Sequence, residues 1–213
     1  MDRLGIVSMS KKIVILSSGG DAPGMNAAIR SVVRRAFHEG FEVLGCESGF
    51  QGLVDKTLFR MTELSVANII QRGGTVLKTD RCDAFRDHDV RQDCLEFLLS
   101  QGVTGLVVLG GNGSFQGARK LAMDSPLQVV GIPCTIDNDI VGTSYTIGFD
   151  TARNTAVRAI DNIRDTAMSH ERNFLIEVMG RATGFLAVDV GLAVGAEVIL
   201  LPEYPLTLDE LVG

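Results

Sequence analysis

Short apolar runs alternate along the chain with longer segments in which apolar residues recur every three or four positions. The first run, KIVILSS at 12–18, is rich in β-branched residues and too short for a helix, so it predicts a buried strand. The following segment, 25–40, places Met25, Ile29 and Ala36 on one stripe, as an amphipathic helix requires. The chain therefore opens with a strand, a glycine-rich turn and a helix.

The same two patterns continue to the end of the chain. Further strands are predicted at FEVLGC (41–46), in GLVVLGGNGS (105–114) before its glycine-rich turn, and at LQVVGIP (127–133), RNFLIEVMG (172–180) and AEVILLPE (196–203). Further helices are predicted at LSVANIIQRGG (64–74), VRQDCLEFLLSQG (90–102), FQGARKLAM (115–123) and FDTARNTAVRAIDNIRDTAMSH (149–170). This alternation predicts an α/β fold in which helices cover both faces of a parallel sheet, a three-layer Rossmann-like arrangement. Ligands bind such sheets at the carboxyl ends of the strands.

Both ends of the chain bear on how it is divided. Residues 1–10 precede the first strand and are interpreted as an N-terminal extension or tag, because Met9 is itself a plausible start. A boundary is expected near 148–152, where the long helix would carry the chain into a second lobe. At the other end Thr207 is a candidate N-cap for a helix of only one or two turns. We therefore expect the chain to be a fragment.

Composition narrows the possible functions. The net charge of -6 argues against general nucleic-acid binding, which requires a basic surface. No apolar run approaches the roughly 18 residues that a membrane span needs, so no membrane partner is expected. The four cysteines form no CxxC pair, which favours free thiols in a reducing compartment. The cytoplasm is the expected location.

Two glycine-rich stretches, SSGGDAPG at 17–24 and GGNGS at 110–114, each follow a predicted strand and open a predicted helix. Glycine lets backbone N–H groups approach an anion, and a helix N-terminus adds positive potential, so both stretches suit a phosphate group. SSGGDAPG is neither a Walker A nor a G-x-G-x-x-G sequence. A tight strand-to-helix turn is the alternative explanation for each, although two such turns on one sheet edge favour phosphate binding.

The sharpest motif is TIDND, which follows the strand predicted at 127–133. In an extended chain Thr135, Asp137 and Asp139 would share one face, and two like charges there cost stability unless a cation or a proton partner uses them. Such a pair beside phosphate loops suits phosphoryl transfer: one carboxylate accepts the proton of an attacking hydroxyl and the other helps to hold Mg²⁺. The alternative is a turn capped by its own Asp and Asn side chains.

Arginines beside turns would neutralise the negative charge of bound phosphate groups, because the guanidinium group forms bidentate hydrogen bonds with phosphate. Four arginines lie in or beside turns: Arg81, Arg86, Arg172 and Arg181. Any one of them alone is more typical of a solvated surface. Arg30 and Arg34 on the first helix fit either a solvated face or a second anion site.

Together, SGGDAPGMNAAIR, QRGGT, GGNGS, PCTIDNDI, YTIGFDTA and EVMGR resemble, in order and spacing, the motifs of 6-phosphofructokinases of the bacterial, ATP-dependent type. The resemblance covers the chain from about residue 11 and corresponds to the N-terminal two-thirds of such an enzyme. It implies a homotetramer that uses Mg²⁺ and transfers the γ-phosphate of ATP to the C1 hydroxyl of fructose 6-phosphate, giving fructose 1,6-bisphosphate and ADP in glycolysis. It also implies a nucleotide-binding lobe at 11–150 and the incomplete start of a sugar-phosphate-binding lobe at 151–213.

The resemblance also implies roles for individual residues. Asp137 resembles the catalytic base of the family. Asp139 and Asn112 match the positions that bind the metal ion, and Thr135 and Arg181 match the catalytic residues beside the base. The positions that match the nucleotide side are Gly20, Arg81, Arg86, Gly111, Asn112, Gly113 and Ser114. The positions that match the sugar side are Thr135, Asp137, Asp139, Arg172, Met179, Gly180 and Arg181, with Arg172 reaching a neighbouring subunit. An effector site is matched by Arg30, Arg34, Arg164 and Glu197.

Several departures from the family pattern leave alternatives open. Asn112 stands where many members have aspartate, so a non-catalytic nucleotide-binding subunit or an inactive fragment is one alternative. Cys134 stands where ATP-using members commonly have glycine and pyrophosphate-using members lysine, so a pyrophosphate-dependent enzyme is another. Gly113 favours ATP, because the pyrophosphate type tends to carry an acid there. Glu63 lies near a position where some members have arginine, so allosteric regulation is expected to be altered or absent.

Overall fold

The structure, a computed structural model, describes residues 11–123, 125–207 and 209–210. Its strands are β1 (Lys12–Ser17), β2 (Glu42–Cys46), β3 (Leu58–Arg60), β4 (Val103–Gly110), β5 (Gln128–Thr135) and β6 (Ile147–Gly148). Its helices are α1 (Met25–His38), α2 (Gly49–Val54), α3 (His88–Ser100), α4 (Asn112–Ala122), α5 (Phe149–His170) and α6 (Phe185–Val194). Single 3₁₀ turns lie at Leu64–Val66 and Asp83–Arg86.

The strands form a mostly parallel sheet in the order β3-β2-β1-β4-β5-β6. β1 lies parallel to both β2 and β4, with Val14 opposite Leu44 on one side and Leu106 on the other. β3 runs antiparallel to β2 and ends the sheet on that side. The predicted α/β fold is therefore confirmed, with one antiparallel edge strand added. The predicted strands at 12–18, 41–46, 105–114 and 127–133 correspond to β1, β2, β4 and β5.

The chain divides into two compact units, the first reaching to Ile132 and the second beginning at Pro133. The core of the first unit is built from the continuous apolar runs of the central strands, whose residues are buried from both faces as parallel strands require. Phe50 of α2 stacks on Phe85 with ring centroids 4.2 Å apart and covers one part of that core. The predicted stripe of α1 is confirmed, because Met25 and Ile29 are fully buried.

The second unit is organised around the long helix α5, which packs against α6. Phe149 and Ile160 of α5 meet Leu186, Val190 and Val194 of α6 in one buried cluster. At the chain end, the N–H and Oγ1 of Thr207 donate to the Glu210 carboxylate, and the Glu210 N–H donates back to Thr207 Oγ1. The predicted N-cap at Thr207 is confirmed by this reciprocal arrangement.

Three predicted elements are wrong. The segments at 172–180 and 196–203 are not strands, because a strand requires a hydrogen-bonded neighbour and the described residues form only one isolated bridge there, between Leu201 and Tyr204. The helix predicted at 64–74 is a single 3₁₀ turn, since Asn68 takes a positive φ of 54° that ends the helical path. The sequence patterns also missed α2, α6 and the short strands β3 and β6.

The predicted extension or tag at 1–10 lies outside the described residues. The division into a nucleotide-binding lobe at 11–150 and a sugar-phosphate-binding lobe at 151–213 stays a prediction, because it is defined by what each lobe binds.

Candidate functional site

The two glycine-rich turns of the first unit lie against each other. The Ser18 N–H donates to the Leu109 carbonyl at 2.9 Å, and Ser114 Oγ donates to the Ser18 carbonyl at 3.0 Å. A Cβ atom on Gly110 would lie 2.5 Å from that same carbonyl oxygen, so only glycine fits at this position. The turn after β1 and the turn after β4 therefore form one continuous backbone surface.

Two helices begin at this surface, as the sequence predicted. Gly24 precedes α1 with φ of 94°, and Gly111 precedes α4. The first N–H groups of a helix have no partner within the helix and bind anions readily. A Cβ atom on Gly20 or Gly113 would meet no described atom within 4 Å, so a phosphate could approach the main chain at both positions.

Asn26 holds residues 72–76 beside the first glycine turn through three hydrogen bonds. No sequence motif indicated this role. Its side-chain amide donates to the carbonyls of Arg72 at 2.9 Å and Gly73 at 3.2 Å, and its Oδ1 accepts the Val76 N–H at 2.7 Å. Asn26 is only 1% exposed, so all three contacts are shielded from water. The available signal was an amide on the apolar stripe of α1, three residues before Ile29.

The next residues along this segment are tied to the same turn. Ser17 Oγ donates to the Lys78 carbonyl at 2.7 Å, and Thr79 Oγ1 donates to the Gly19 carbonyl at 2.6 Å. These bonds determine where the chain goes immediately before the predicted nucleotide-side arginine Arg81. Arg81 itself is exposed.

Arg86 lies on the surface of the first unit and pairs with Asp83, with Arg86 Nη2 3.4 Å from Asp83 Oδ1. Both side chains are more than four-fifths exposed, so the pair contributes little to stability. A phosphate group could replace Asp83 as the partner of Arg86 at little cost. The nucleotide roles of Arg81 and Arg86 stay predictions.

In the second unit the aspartate turn follows β5 directly. The Asp137 N–H donates to Thr135 Oγ1 at 3.1 Å, and Thr183 Oγ1 donates to the Asp137 carbonyl at 3.4 Å. The chain is not extended here as the sequence argument supposed, because Asn138 adopts a left-handed conformation with φ of 52°. The turn, and not strand alternation, brings the two carboxylates together.

The electrostatics of this turn identify Asp137 as a perturbed acid. Burial raises the pKa of Asp137 above the ordinary value of an aspartate, the Asp139 carboxylate raises it further, and the Arg181 guanidinium lowers it. The structure therefore brings three predicted site residues within electrostatic range of one another. A partly buried carboxylate with a raised pKa and an arginine beside it is suited to accepting a proton.

Arg181 is held in place by an unusual backbone. Arg181 has φ of 56°, a left-handed conformation that is uncommon outside glycine, and Gly180 before it has φ of 149°. A Cβ atom on Gly180 would lie 2.6 Å from the Thr183 carbonyl oxygen, so this position also requires glycine. Strained backbone of this kind is frequent at functional sites.

The remaining predicted sugar-side residues are solvent-facing. Arg172 follows α5 and is exposed, with its N–H bound to the Ala167 carbonyl. Met179 is 71% exposed, although it directly precedes the buried Gly180. An exposed apolar side chain of this size is available to a ligand or a neighbouring chain, so both roles stay predictions.

The three predicted effector arginines already have partners within their own units. In the first unit Arg30 donates to the Val66 carbonyl, and Arg34 Nη1 lies 3.8 Å from the Glu63 carboxylate. In the second unit Arg164 donates to the Val194 carbonyl at the end of α6, and Glu197 is exposed. Their effector roles stay predictions.

A magnesium ion would have few carboxylate ligands in the described part of this chain. Across residues 11–123, 125–207 and 209–210 no group of three or more His, Cys, Asp or Glu side chains is arranged to hold a metal. Mg²⁺ is commonly bound through one or two carboxylates together with substrate phosphates. The close pair Asp137 and Asp139 fits that mode, whereas Asn112, the first residue of α4, brings no charge.

Cys134 lies at the end of β5 beside Ile147 of β6 and is 1% exposed. Burial raises the pKa of the Cys134 thiol to about 12, so it is neutral at physiological pH. It therefore cannot supply the positive charge that a lysine would bring to this position. All four cysteines are free thiols, as the sequence predicted.

In the parts of the chain that the structure describes, no helix is both long and apolar enough to cross a membrane.

The chain belongs to the class of parallel α/β proteins in which glycine-rich turns lead into helices, an arrangement that suits phosphate groups. A family model described as phosphofructokinase matches residues 12–213, and the chain belongs to the phosphofructokinase family. This confirms the resemblance inferred from the motifs.

Named relatives agree with the family. The chain is 61% identical to the ATP-dependent 6-phosphofructokinase of Coxiella burnetii over 201 residues, which cover 94% of this chain and 62% of that protein. It is 54% identical to ATP-dependent 6-phosphofructokinase 1 of Clostridium perfringens over 202 residues, or 95% of this chain and 63% of that protein. The chain thus spans somewhat less than two-thirds of the length of these relatives.

Solved structures share the fold. The phosphofructokinase of Pichia pastoris in the T-state matches with a TM-score of 0.89 at 39% identity, covering 93% of this chain and 23% of that chain. A pyrophosphate-dependent phosphofructokinase from Marinobacter aquaeolei matches with a TM-score of 0.78 at 24% identity, covering 92% of this chain and 54% of that chain. The second match shows the fold alone.

Proposed function

We propose that the intact protein to which this chain belongs is an ATP-dependent 6-phosphofructokinase. It moves the γ-phosphate of ATP to the C1 hydroxyl of fructose 6-phosphate and releases fructose 1,6-bisphosphate and ADP. The observation that carries the proposal is the perturbed carboxyl of Asp137 between Asp139 and Arg181. The names of the relatives at 54% and 61% identity support ATP as the phosphoryl donor.

In this reaction Asp137 is the general base. Its carboxylate accepts the proton of the C1 hydroxyl as that oxygen attacks the phosphoryl group, and a pKa raised by burial makes it a stronger base than an exposed aspartate. Arg181 stabilises the charge that develops on the transferred group. Thr135 supports the base through its bond to the Asp137 N–H.

The first unit holds the nucleotide. Backbone N–H groups at Gly20, Gly111 and Gly113 bind the phosphates, and Arg81 and Arg86 neutralise their charge. Mg²⁺ would be held by Asp139, with Asn112 as a neutral partner, and would supply charge neutralisation at the transferred phosphoryl group. Ser114 secures the two glycine turns through its bond to the Ser18 carbonyl.

The second unit holds the sugar phosphate. Met179, Gly180 and Arg181 contact the sugar, and Arg172 reaches the sugar phosphate bound to a neighbouring subunit of a homotetramer. The exposure of Arg172 supports a role outside its own unit. An effector site at Arg30, Arg34, Arg164 and Glu197 would be weakened by Glu63. The enzyme works in the cytoplasm, with no nucleic-acid or membrane partner.

Substitution of the base tests the proposal. In the intact enzyme Asp137→Asn should lower kcat by about 10²–10⁴-fold, the usual contribution of a general base, with the KM for ATP nearly unchanged. Asp161→Asn on the exposed side of α5 is the matched control and should leave kcat unchanged. Steady-state rates with ATP and fructose 6-phosphate measure both. A kcat within threefold of the parent in Asp137→Asn would rule out this role.

Asn112 supports a second candidate, a non-catalytic nucleotide-binding subunit, because it removes one acid from the metal side. ATP binding by calorimetry without Mg²⁺-dependent turnover of the intact protein would favour that candidate. Pyrophosphate as donor is a further alternative on account of Cys134. Turnover with ATP and none with pyrophosphate would exclude it.

A further inference from the structure

A set of hydrogen bonds ties the aspartate turn to the loop that precedes β6. Asn138 Nδ2 donates to the Ser144 carbonyl at 3.2 Å, and Asn138 Oδ1 accepts the Thr146 N–H at 2.9 Å. Thr146 Oγ1 donates to the Thr135 carbonyl at 2.6 Å and lies 3.3 Å from Asn138 Oδ1. One amide and one hydroxyl therefore connect both ends of the turn to the same short loop.

The contacts of Thr146 are partly buried, and the set as a whole is specific to the residue types present. Thr146 is only 4% exposed, so water cannot take over the role of its hydroxyl. Asn138 has φ of 52°, a conformation that asparagine tolerates better than most other residues. Asparagine suits position 138 for two reasons: it tolerates the left-handed backbone, and its side chain makes the hydrogen bonds described above.

We infer that Asn138 and Thr146 are positioning residues for Asp137, together called the Asn138–Thr146 latch. The inference rests on the proposed function, in which Asp137 is the base. Asn138 lies between Asp137 and Asp139 in the chain, so anchoring its side chain fixes the peptide planes on both sides and hence the direction of both carboxylates. Neither latch residue needs to touch a substrate for this purpose.

Proton transfer is sensitive to such positioning, because a displacement of about 1 Å at a reacting group can cost about 10²-fold in rate. Thr146→Val keeps the shape of the side chain and removes the hydroxyl, whereas Thr146→Ser keeps the hydroxyl. Thr155→Val on the exposed face of α5 is the matched control, since Thr155 Oγ1 bonds to the backbone of its own helix at Thr151.

In the intact enzyme with ATP and fructose 6-phosphate, Thr146→Val should lower kcat by about 10- to 100-fold while the KM for ATP changes by less than about twofold. Thr146→Ser should restore kcat to within about threefold, and Thr155→Val should behave as the parent. Asn138→Ala should resemble Thr146→Val. Equal kcat values in the parent, Thr146→Val and Asn138→Ala would overturn the inference.

Rescue by the conservative variant separates positioning from general loss of structure. Valine and serine alter the same position, but only serine can donate to the Thr135 carbonyl and to Asn138 Oδ1 as Thr146 does. A kcat in Thr146→Ser as low as in Thr146→Val would also overturn the inference.

Hydrogen exchange of the Asp137 N–H, which donates to Thr135 Oγ1 at 3.1 Å, reports the order of the turn without depending on turnover. Exchange at this N–H should be faster in Thr146→Val and unchanged in Thr155→Val. If the parent shows no ATP-dependent activity while this change is observed, the proposed function fails and the positioning stands. If the change is missing, the positioning fails whatever the activity. Should Thr146→Val not fold, Asn138→Ala provides the same measurements.

Discussion

At the scale of single residues, burial and the Asp139 carboxylate both disfavour the ionised form of Asp137. The Arg181 guanidinium favours that ionised form. The pKa of Asp137 is therefore higher in the folded chain than in the unfolded chain, and the folded state binds its proton more tightly. Stability must then fall as pH rises from the ordinary pKa of aspartate through the raised one. The charged form that the proposed general base requires is the form that destabilises the fold.

This coupling predicts the thermal behaviour of Asp137→Asn. Because the amide cannot ionise, the variant should have a higher Tm than the parent at pH 7, by a few degrees. The two Tm values should converge near about pH 3, where Asp137 is protonated in folded and unfolded chains alike. Thermal melts across this pH range measure both. A Tm at pH 7 below that of the parent would contradict the prediction.

At the scale of elements, residues 72–79 depend on side chains from β1 and α1 for their position. Asn26 of α1 provides three of the hydrogen bonds, and Ser17 of β1 bonds to Thr75 Oγ1 and to the Lys78 carbonyl. Thr79 of the segment itself donates to the Gly19 carbonyl. Because this segment forms no helix or strand of its own, its backbone groups rely on these contacts. The position of Arg81 depends on them in turn.

Asn26→Leu is expected to lower the free energy of unfolding by about 1–3 kcal/mol, since it leaves two carbonyls and one N–H without their buried partner. Urea unfolding measures this loss. The affinity for ATP should fall as well, because the segment that carries Arg81 loosens. Asn154→Ala on the exposed face of α5 is the control and should change stability by less than about 0.5 kcal/mol. A loss in Asn26→Leu no larger than in this control would refute the expectation.

Some helices and strands could be predicted from the sequence and others could not. β1, α1, β4 and α5 were predicted correctly because their apolar periodicity is contained within each segment. The strands expected at 172–180 and 196–203 were wrong because strand formation depends on a partner elsewhere in the chain.

The same distinction holds for the candidate site. Short sequence motifs predicted Asp137, Asp139 and Arg181 as site residues, because these residues belong to the motifs themselves. Asn26 and Thr146 were missed because their partners, 46 to 50 and 8 to 11 residues away, meet them only after folding. Asn138 was part of the motif. However, nothing in the sequence except the residue type indicated its left-handed backbone conformation.

At the scale of the whole molecule, the proposed effector site would require an anion to compete for the arginines of α1. Glu63 pairs with Arg34 across 3.8 Å, with both side chains more than half exposed. Such a surface pair contributes little to stability, but it places a negative charge at the position of the proposed effector site. Arg30 is engaged with the Val66 carbonyl on the same side.

Glu63→Arg should therefore create or strengthen the response to an anionic effector such as ADP or phosphoenolpyruvate. Removing a repulsive charge and adding a charge-assisted hydrogen bond should tighten effector binding about tenfold, with little change in Tm. Calorimetry and the effector dependence of fructose 6-phosphate saturation measure the change. Glu63→Gln serves as the partial variant, and an affinity in Glu63→Arg no better than in the parent would count against an effector site here.

The burial of Cys134 has a practical consequence that extends to two other thiols. Cys46 and Cys94 are also fully buried, and burial raises the three pKa values to about 12 for Cys46 and Cys134 and about 11 for Cys94. At neutral pH at most about one in ten thousand of these groups is a thiolate, the form that reacts with maleimides. Once the partly exposed Cys82 is replaced, a cysteine placed on the surface could carry a fluorophore or spin label while the interior thiols stay untouched.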